Sequence, residues 1–408
     1  MGDSGEDPRV PAGSRHYRRA LVALFCAGIA TFTIVYSPQA LLPDIARQYE
    51  ISESTASLAV GATTIGLAIG MIPWGRLSDR LGRVAAMRWA MVLSIVCALL
   101  APLMPSFETF IGIRLVEGIM LAGLSSIGVT ALAETVTPLA LGSAVGVFIG
   151  GNTIGGLAGR ILAATFGERF GLQGGLIAIA VVAFVVMIAF LILMPPTVLP
   201  PAPPLPLFRA TLANLRNAGV MVMVLQAFLL MGSYVAAYNY LAFRMMDEPF
   251  GLSLTQSSWL YLAYIAGALA SSNAWRLSAR LTPVGVVILG CSTMLVGLGI
   301  MLLPHLIAVI VGLLLFTMGF FASHSTALTL ASKRSDPNAR SLAPSIYNLA
   351  YFSGSSVLGY YGGMAFAAAG WEGTSAMIAA AVALAGAAAW IHSARHGGPR
   401  RVDAPSTE

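Results

Sequence analysis

The chain has 408 residues, of which 57% are hydrophobic and only 10% are charged, with a formal net charge of +6. Soluble globular proteins carry about 25% charged residues, so this composition excludes a soluble enzyme, a disordered chain and a disulfide scaffold. It predicts an all-α membrane protein that crosses the bilayer several times, with about 20 apolar residues in each span.

Apolar runs long enough to cross a membrane recur along the chain. The first follows a hydrophilic tail of 19 residues and is too long for a signal-peptide core, so we expect it to be retained as a span. Lipid leaves no partner for backbone polar groups, so runs of this length indicate helices rather than strands. Twelve spans are predicted: 20–42, 56–74, 84–105, 107–132, 140–165, 172–194, 219–242, 254–275, 284–304, 306–330, 343–368 and 372–392.

The basic residues are unevenly distributed over the predicted loops. Twelve spans place both termini on one side of the membrane, and most of the 23 lysines and arginines fall on that side. The opposite side holds only Arg47, Arg169 and Arg244. The positive-inside rule therefore predicts cytoplasmic termini. Topology accounts for the basic charge, and we expect no nucleic-acid partner.

The sequence contains no motif for catalysis or for a bound cofactor. Cys26, Cys97 and Cys291 lie in apolar runs without the spacing of a metal or redox site. A nucleotide-binding loop and a hydrolase elbow are also missing. We therefore expect no enzyme activity, no cofactor and no metal, and any transport would be facilitated or coupled to an ion gradient.

A proline-rich stretch divides the spans into two sets of six. Residues 195–206 contain seven prolines, which cannot continue a helix and favour an extended spacer. The predicted organisation is a cytoplasmic tail (1–19), a six-helix bundle (20–194), a cytoplasmic linker (195–218), a second six-helix bundle (219–392) and a cytoplasmic tail (393–408).

The two predicted bundles resemble each other in sequence. Residues 75–83, after span 2, match residues 275–283, after span 8, at five of nine positions. Residues 151–160 in span 5 share three glycines with residues 354–363 in span 11, at an offset of 203. Matches in equivalent spans indicate an internal duplication, and two related bundles around a central site suit alternating access.

These segments also resemble a known family. The loop 75–83 is similar to the signature loop between spans 2 and 3 of the major facilitator superfamily, and residues 114–118 resemble its Arg-x-x-x-Gly element in span 4. The resemblance covers nearly the whole chain. It implies two pseudo-symmetric six-helix bundles that act as a monomer in the lipid bilayer of a bacterial inner membrane.

Span 5 resembles the glycine-rich element of the drug:proton antiporter branch. Gly142, Gly151, Gly155 and Gly159 fall at its spacing, whereas Gly156 replaces its proline and Arg160 replaces its last glycine. The run 150–160, together with Ser323-His324-Ser325 in span 10, is similar to the YnfM-like bacterial branch. The resemblance implies a small-molecule substrate and an exchange for protons.

The signature loop is the predicted cytoplasmic gate. The resemblance implies that Asp79 docks at the start of span 11, where a helix N-terminus favours an anion, and that Arg83 pairs with Glu134. The alternative is that these arginines only fix the topology. The gating candidates are Gly75, Asp79, Arg80, Gly82, Arg83 and Glu134.

Arg114 and Glu117 are predicted to lie near the middle of the membrane. Span 4 starts near Phe107, and a rise of about 1.5 Å per residue places Glu117 roughly 15 Å deep. Charged groups at that depth face a cavity or a partner. The pair is therefore either a structural lock between helices or a site for substrate or a proton.

The other candidates are polar residues within spans. Arg160 either reaches the outer interface or lines an outward cavity that meets an anionic group. In the family, spans 1, 4, 7 and 10 line the cavity, which favours residues of span 7 as substrate ligands. The remaining polar candidates, in spans 5, 7 and 10, are Asn152, Gln226, Tyr234, Tyr238 and His324. Each of them could instead form only an interhelical contact.

Three functions are compatible with these observations. The first is a proton-coupled exporter of small, amphipathic compounds. The second is an uptake carrier for a small polar or anionic metabolite, with Arg114 and Arg160 as ligands. The third is a membrane sensor without transport, which would need a signalling domain that neither predicted tail has the length to form.

Overall fold

The computed structural model describes residues 9–196, 207–337 and 339–396. Within these ranges the regular structure is helical, and the β-structure consists of one isolated bridge between Val10 and Val136. Most of the predicted proline-rich spacer and the outer parts of both predicted tails lie outside the described residues.

The chain divides into two compact units. The first comprises Met1–Pro204 together with Leu252–Tyr261, and the second comprises Leu205–Gly251 together with Leu262–Glu408. The helices of the first unit are α1 (Arg15–Tyr36), α2 (Leu42–Gln48), α3 (Glu53–Leu81), α4 (Arg83–Leu100), α5 (Phe107–Thr135), α6 (Pro138–Leu193) and α9 (Leu254–Ser258). Those of the second are α7 (Leu207–Arg216), α8 (Ala218–Met246), α10 (Ala263–Arg280), α11 (Pro283–Met301), α12 (Leu306–Arg334) and α13 (Ala343–His396).

The two longest helices each contain two predicted spans. Helix α6 is interrupted at Gly171, whose φ of 74° lies in the left-handed region that favours glycine. Helix α13 is interrupted at Ala369 and Gly370. Both breaks coincide with the predicted boundaries between spans 5 and 6 and between spans 11 and 12.

Nine helical segments within the described ranges are long and apolar enough to cross a membrane. Helices α6 and α13 are two of these segments. Predicted span 8 is not among them; its residues form α9, a 3-10 turn (Trp259–Leu262) and α10. The chain thus passes from the first unit to the second within this predicted span.

The same helix pairs recur in both units. In the first unit α1 packs along α6, and α5 contacts both α3 and α4; in the second, α8 packs along α13, and α12 contacts both α10 and α11. A Cβ at Gly151 would meet the carbonyl oxygen of Phe25, and one at Gly354 would meet that of Phe228. The partners of both contacts are 203 residues apart, as the sequence repeat is. The shared glycines therefore perform the same task, which is close packing of two helices.

Candidate functional site

The signature loop, residues 75–83, forms a turn in the first unit that is held by ion pairs of Arg83. Gly82, with a φ of 85°, ends α3 and starts α4. Arg83 Nε donates to Glu134 Oε1 at 3.0 Å, and its Nη1 donates to Asp79 Oδ1 at 2.5 Å and to Ser78 Oγ at 2.5 Å. The side chains of Arg83 and Glu134 are 9% and 10% exposed. Arg83 therefore connects the α3–α4 turn to the end of α5.

The remaining loop candidates surround this turn. The carbonyl oxygen of Gly75 accepts a hydrogen bond from Ser78 Oγ, and Arg80 is exposed. The side chain of Asp79 is 39% exposed even with Arg83 beside it. Docking of Asp79 at the start of span 11 stays a prediction.

Arg114 and Glu117 form a buried ion pair in α5. The two residues are 2% and 0% exposed, and Arg114 Nη1 donates to Glu117 Oε2. Arg114 also donates from Nε to the carbonyl oxygen of Ala59 at 3.1 Å, and from Nη2 to those of Ile34 at 3.2 Å and Val35 at 3.0 Å. One guanidinium therefore joins α5 to α1 and α3.

A proline just after the end of α1 explains why the carbonyl oxygens of Ile34 and Val35 accept hydrogen bonds from Arg114. Ile34 would bond to the N–H of residue 38, but that residue is Pro38, which has none. The α-helix changes there to a 3-10 helix, Ser37–Leu41. This change leaves the last carbonyl groups of α1 without α-helical partners, and the guanidinium of Arg114 satisfies two of them.

The pair is asymmetric in its hydrogen bonding. Every nitrogen of the Arg114 guanidinium donates to a protein oxygen. In contrast, Glu117 Oε1 is buried and has no hydrogen-bond partner among the described residues. Glu117 Oε1 is thus the atom of this pair that can take a new hydrogen bond or a proton, whereas each guanidinium nitrogen of Arg114 already has an acceptor.

Arg160 is buried between two rings near the start of span 8. Its guanidinium carbon lies 4.5 Å from the Tyr36 ring centroid and 4.9 Å from that of Tyr261. Its Nε donates to Gln39 Oε1 at 2.7 Å, and its Nη1 donates to the Gly156 carbonyl oxygen at 2.6 Å. Arg160 is 1% exposed, so the side chain does not reach out to an interface.

Glu168, which sequence reasoning missed, holds the beginning of α9. Its Oε2 accepts from Ser253 Oγ at 3.0 Å and from the Thr255 N–H at 2.7 Å. Ser253 also forms a capping box with Gln256. That box is readable in the sequence, but the carboxylate that joins it comes from a residue 85 positions away.

The second unit contains a continuous aromatic cluster. The rings of Tyr234 and Phe320 stack at 4.1 Å, and Tyr238 Oη shares a hydrogen bond of 2.8 Å with Thr317 Oγ1. Successive ring contacts extend the cluster across α8, α10, α12 and α13. Its members are Tyr234, Tyr238, Tyr264, Phe316, Phe320, Phe321, His324, Tyr347, Tyr351 and Phe352.

Sequence reasoning selected only three members of this cluster as sites. The spacing of Phe316, Phe320 and His324 is four residues, which places them on one face of a helix. This spacing was an available signal for the α12 part of the cluster.

Gln226 and Asn152 are not members of the aromatic cluster. Gln226 is 0% exposed, and its Nε2 donates to the Ala385 carbonyl oxygen at 2.6 Å. It therefore connects α8 to the second half of α13. Asn152 packs against Gly28 of α1, and its Oδ1 has no hydrogen-bond partner among the described residues.

Comparison with known proteins identifies the family. The model of the Major Facilitator Superfamily matches residues 21–360. The chain belongs to this superfamily. The all-α, two-bundle membrane fold that the sequence predicted is thereby confirmed, and the protein is a membrane transporter that acts on small molecules.

Individual relatives agree with this assignment. The chain is 33% identical to the uncharacterized MFS-type transporter YybF of Bacillus subtilis, covering 90% of this chain and 91% of YybF. It is also 33% identical to the inner membrane transport protein YnfM of Escherichia coli, over 92% and 91% of the two chains. The predicted resemblance to the superfamily and to YnfM is therefore confirmed.

Solved structures show the same fold at low sequence identity. A bacterial homologue of the human lysosomal transporter Spinster, in an inward-facing and unoccupied conformation, has a TM-score of 0.76 at 17% identity, with 93% and 97% of the two chains covered. The nucleoside transporter NupG has a TM-score of 0.72 at 13% identity, with 91% and 99% covered.

Proposed function

We propose that this transporter exports small amphipathic compounds in exchange for protons, and that Glu117 carries the proton. The observation behind the proposal is the buried carboxyl group of Glu117, which has one oxygen bound to Arg114 and one without a partner in the described chain. A proton can bind Oε1 without breaking the bond between Arg114 and Oε2.

The energetic cost of that open oxygen supports a proton-binding role. A buried acceptor without a partner costs roughly 1–3 kcal/mol, and more when it is charged. A proton or a water molecule that reaches Oε1 during the transport cycle would reduce this cost. Alternating access can deliver either one if it changes the solvation of the site or the distance between Glu117 and Arg114.

The aromatic cluster of the second unit supports an amphipathic substrate. Small-molecule sites are mainly apolar and aromatic, with a few polar groups that fix orientation. The cluster supplies rings together with the imidazole of His324. The glycine-rich span 5, which resembles that of proton antiporters, favours export.

Uptake of a small anionic metabolite is less well supported. Arg114 was one of two proposed anion ligands, but each of its guanidinium nitrogens already donates to a protein oxygen. An anion would therefore depend on Arg160, which is already bound to Gln39 and Gly156.

The cellular setting is part of the same proposal. We place the protein as a monomer in the bacterial inner membrane, with both termini in the cytoplasm. The signature loop, through Asp79 and Arg83, controls the cytoplasmic side. Reporter fusions at residue 200 and at the C-terminus should both give cytoplasmic signals, and a periplasmic signal from either would contradict this orientation.

Transport measurements with Glu117→Gln test the coupling. A panel of labelled compounds is first screened for altered accumulation in cells with and without the protein, in the presence and absence of a protonophore. In proteoliposomes, Glu117→Gln should abolish transport driven by a pH gradient but preserve substrate exchange without a gradient. The matched control is Glu108→Gln, an exposed carboxylate on the same helix, which should behave as wild type.

Two outcomes would contradict the coupling role. Gradient-driven transport at the wild-type rate in well-folded Glu117→Gln protein would remove Glu117 from the mechanism. Failure of the variant to fold, with normal Glu108→Gln, would instead assign the pair to structure alone.

A further inference from the structure

The imidazole of His324 lies among rings from two helices. Phe320, one turn earlier in α12, has its ring nearly parallel to the imidazole at 5.6 Å, and the Tyr351 ring of α13 lies 4.9 Å away. Phe320 in turn stacks on Tyr234 of α8 at 4.1 Å. These contacts bury Tyr234 and Phe320, whereas the imidazole and Tyr351 are partly exposed, so a flat apolar compound can stack against the exposed part of these two rings.

Tyr347 determines which nitrogen of this imidazole carries the hydrogen. The Tyr347 Oη lies 2.9 Å from His324 Nδ1 and 3.2 Å from the backbone carbonyl oxygen of His324. A phenol has one hydrogen to donate, and a carbonyl oxygen can only accept. The hydroxyl therefore donates to the carbonyl oxygen, and Nδ1 must donate to the hydroxyl oxygen.

These hydrogen bonds determine which nitrogen of the neutral imidazole can accept a hydrogen bond. With the hydrogen on Nδ1, Nε2 carries the lone pair. Tyr347 is 0% exposed, so packing holds the phenol in position. Nε2 itself makes no hydrogen bond with the described residues, and the imidazole is only partly buried. A ligand can therefore reach this ring and donate a hydrogen bond to Nε2.

We propose that His324 Nε2 accepts a hydrogen bond from the transported compound, which is a flat ring system with an N–H or O–H group at its edge. This inference rests on the proposed transport function and specifies its substrate class. A carboxylate at the same position brings a second acceptor instead of a donor, so the site disfavours aromatic anions.

Matched naphthalene compounds test the hydrogen bond. Naphthol carries the donor, methoxynaphthalene has the same rings without it, and naphthoate places an anion there. Binding to the purified full-length protein is measured by competition against tritiated naphthol. Wild type should bind naphthol about 2- to 10-fold more tightly than methoxynaphthalene, the range expected for one neutral hydrogen bond, and should bind naphthoate most weakly.

Three variants separate the hydrogen bond from stacking. His324→Phe keeps a ring but removes the acceptor, so the two neutral compounds should bind equally. Tyr347→Phe removes the hydroxyl that keeps the hydrogen on Nδ1, so Nε2 is no longer fixed as the acceptor and the preference for naphthol should fall. His305→Gln changes an exposed histidine that precedes the first residue of α12 and should retain the full preference.

Several results would overturn the proposal. These are no binding of naphthol to well-folded wild-type protein, tightest binding of naphthoate, or an unchanged preference in Tyr347→Phe. The last measurement decides the matter if His324→Phe does not fold. Binding is measured without a gradient and does not depend on transport. If the protein prefers naphthol but does not transport in proteoliposomes, the proposed function is refuted and this inference is not. Transport without any preference would refute only this inference.

Discussion

The buried pair of Arg114 and Glu117 predicts an unusual order of stability among its variants. Arg114→Met leaves the carboxylate of Glu117 buried without a cation. Breaking a buried ion pair in this way costs roughly 3–5 kcal/mol of unfolding free energy. The double variant Arg114→Met with Glu117→Met removes both charges. It should therefore be more stable than Arg114→Met alone.

The hydrogen bonds to backbone oxygens set the remaining cost. Arg114 donates to the carbonyl oxygens of Ile34, Val35 and Ala59. Hydrogen bonds between membrane helices contribute about 0.6 kcal/mol on average, with a maximum near 1.7. Loss of three such bonds gives about 2–5 kcal/mol for the double variant. Arg114→Met loses the same bonds and adds the unpaired carboxylate.

Arg114→Lys separates charge from geometry. The ammonium keeps the charge, but it is a compact donor on a flexible stem and cannot reproduce the planar fork of a guanidinium. We expect it to retain the pair with Glu117 and to lose about two of the backbone bonds. The expected loss is about 1–3 kcal/mol, which places Arg114→Lys above both methionine variants in stability.

Unfolding of purified protein in mixed micelles, followed by circular dichroism during a titration with sodium dodecyl sulfate, measures this order. Glu108→Gln serves as the control because it removes an exposed carboxylate from the same helix. If the double variant is no more stable than Arg114→Met, the unpaired charge is not the main cost, and the reasoning fails.

Two further predictions concern the first unit. Asp79→Asn should insert normally and lose less than about 1 kcal/mol of stability, because Asp79 is 39% exposed and Arg83 keeps its bond to Glu134. Transport in proteoliposomes should nevertheless fall strongly, and unchanged transport would remove the gate. Gly151→Leu would drive a side chain into the backbone of Phe25 and should abolish the folded peak in size-exclusion chromatography, whereas Gly146→Leu, where a Cβ meets open space, should give a normal peak.

The apolar runs were sufficient to predict most of the membrane-spanning helices. The predicted boundary between spans 5 and 6 contains the break at Gly171, and that between spans 11 and 12 contains the break at Gly370. Span 8 was less predictable, because its residues 254–275 form one apolar run. The structure breaks that run at Trp259–Leu262. The start of α9 bonds to Glu168 in the first unit, and a distant carboxylate leaves no mark in the local sequence.

The family resemblance implied the pairing of Arg83 with Glu134 across 51 positions; elsewhere the candidate site was predictable only where its partners are close in sequence. Arg114 and Glu117 are three residues apart, so their pairing follows from helix geometry. The acceptors of Arg114 in α1 and α3 depend on how three helices pack. Pro38 was the one local sign, since a proline at a helix end lacks the N–H that would bond to the carbonyl group one turn earlier. Similarly, Tyr347 bonds to His324 across 23 residues.

The two units repeat one fold but differ in the chemistry of equivalent helices. Helices α5 and α12 each contain 29 residues. Counted from the first residue of each helix, Arg114 and Glu117 correspond to Leu313 and Phe316. Phe316 belongs to the aromatic cluster through its contact with Tyr234. Where the first unit buries a charged pair, the second therefore buries apolar and aromatic side chains. This difference favours a division of tasks in which the first unit binds the proton and the second recognises the compound. It also explains why Glu117→Gln should alter coupling while leaving the naphthol preference of His324 intact.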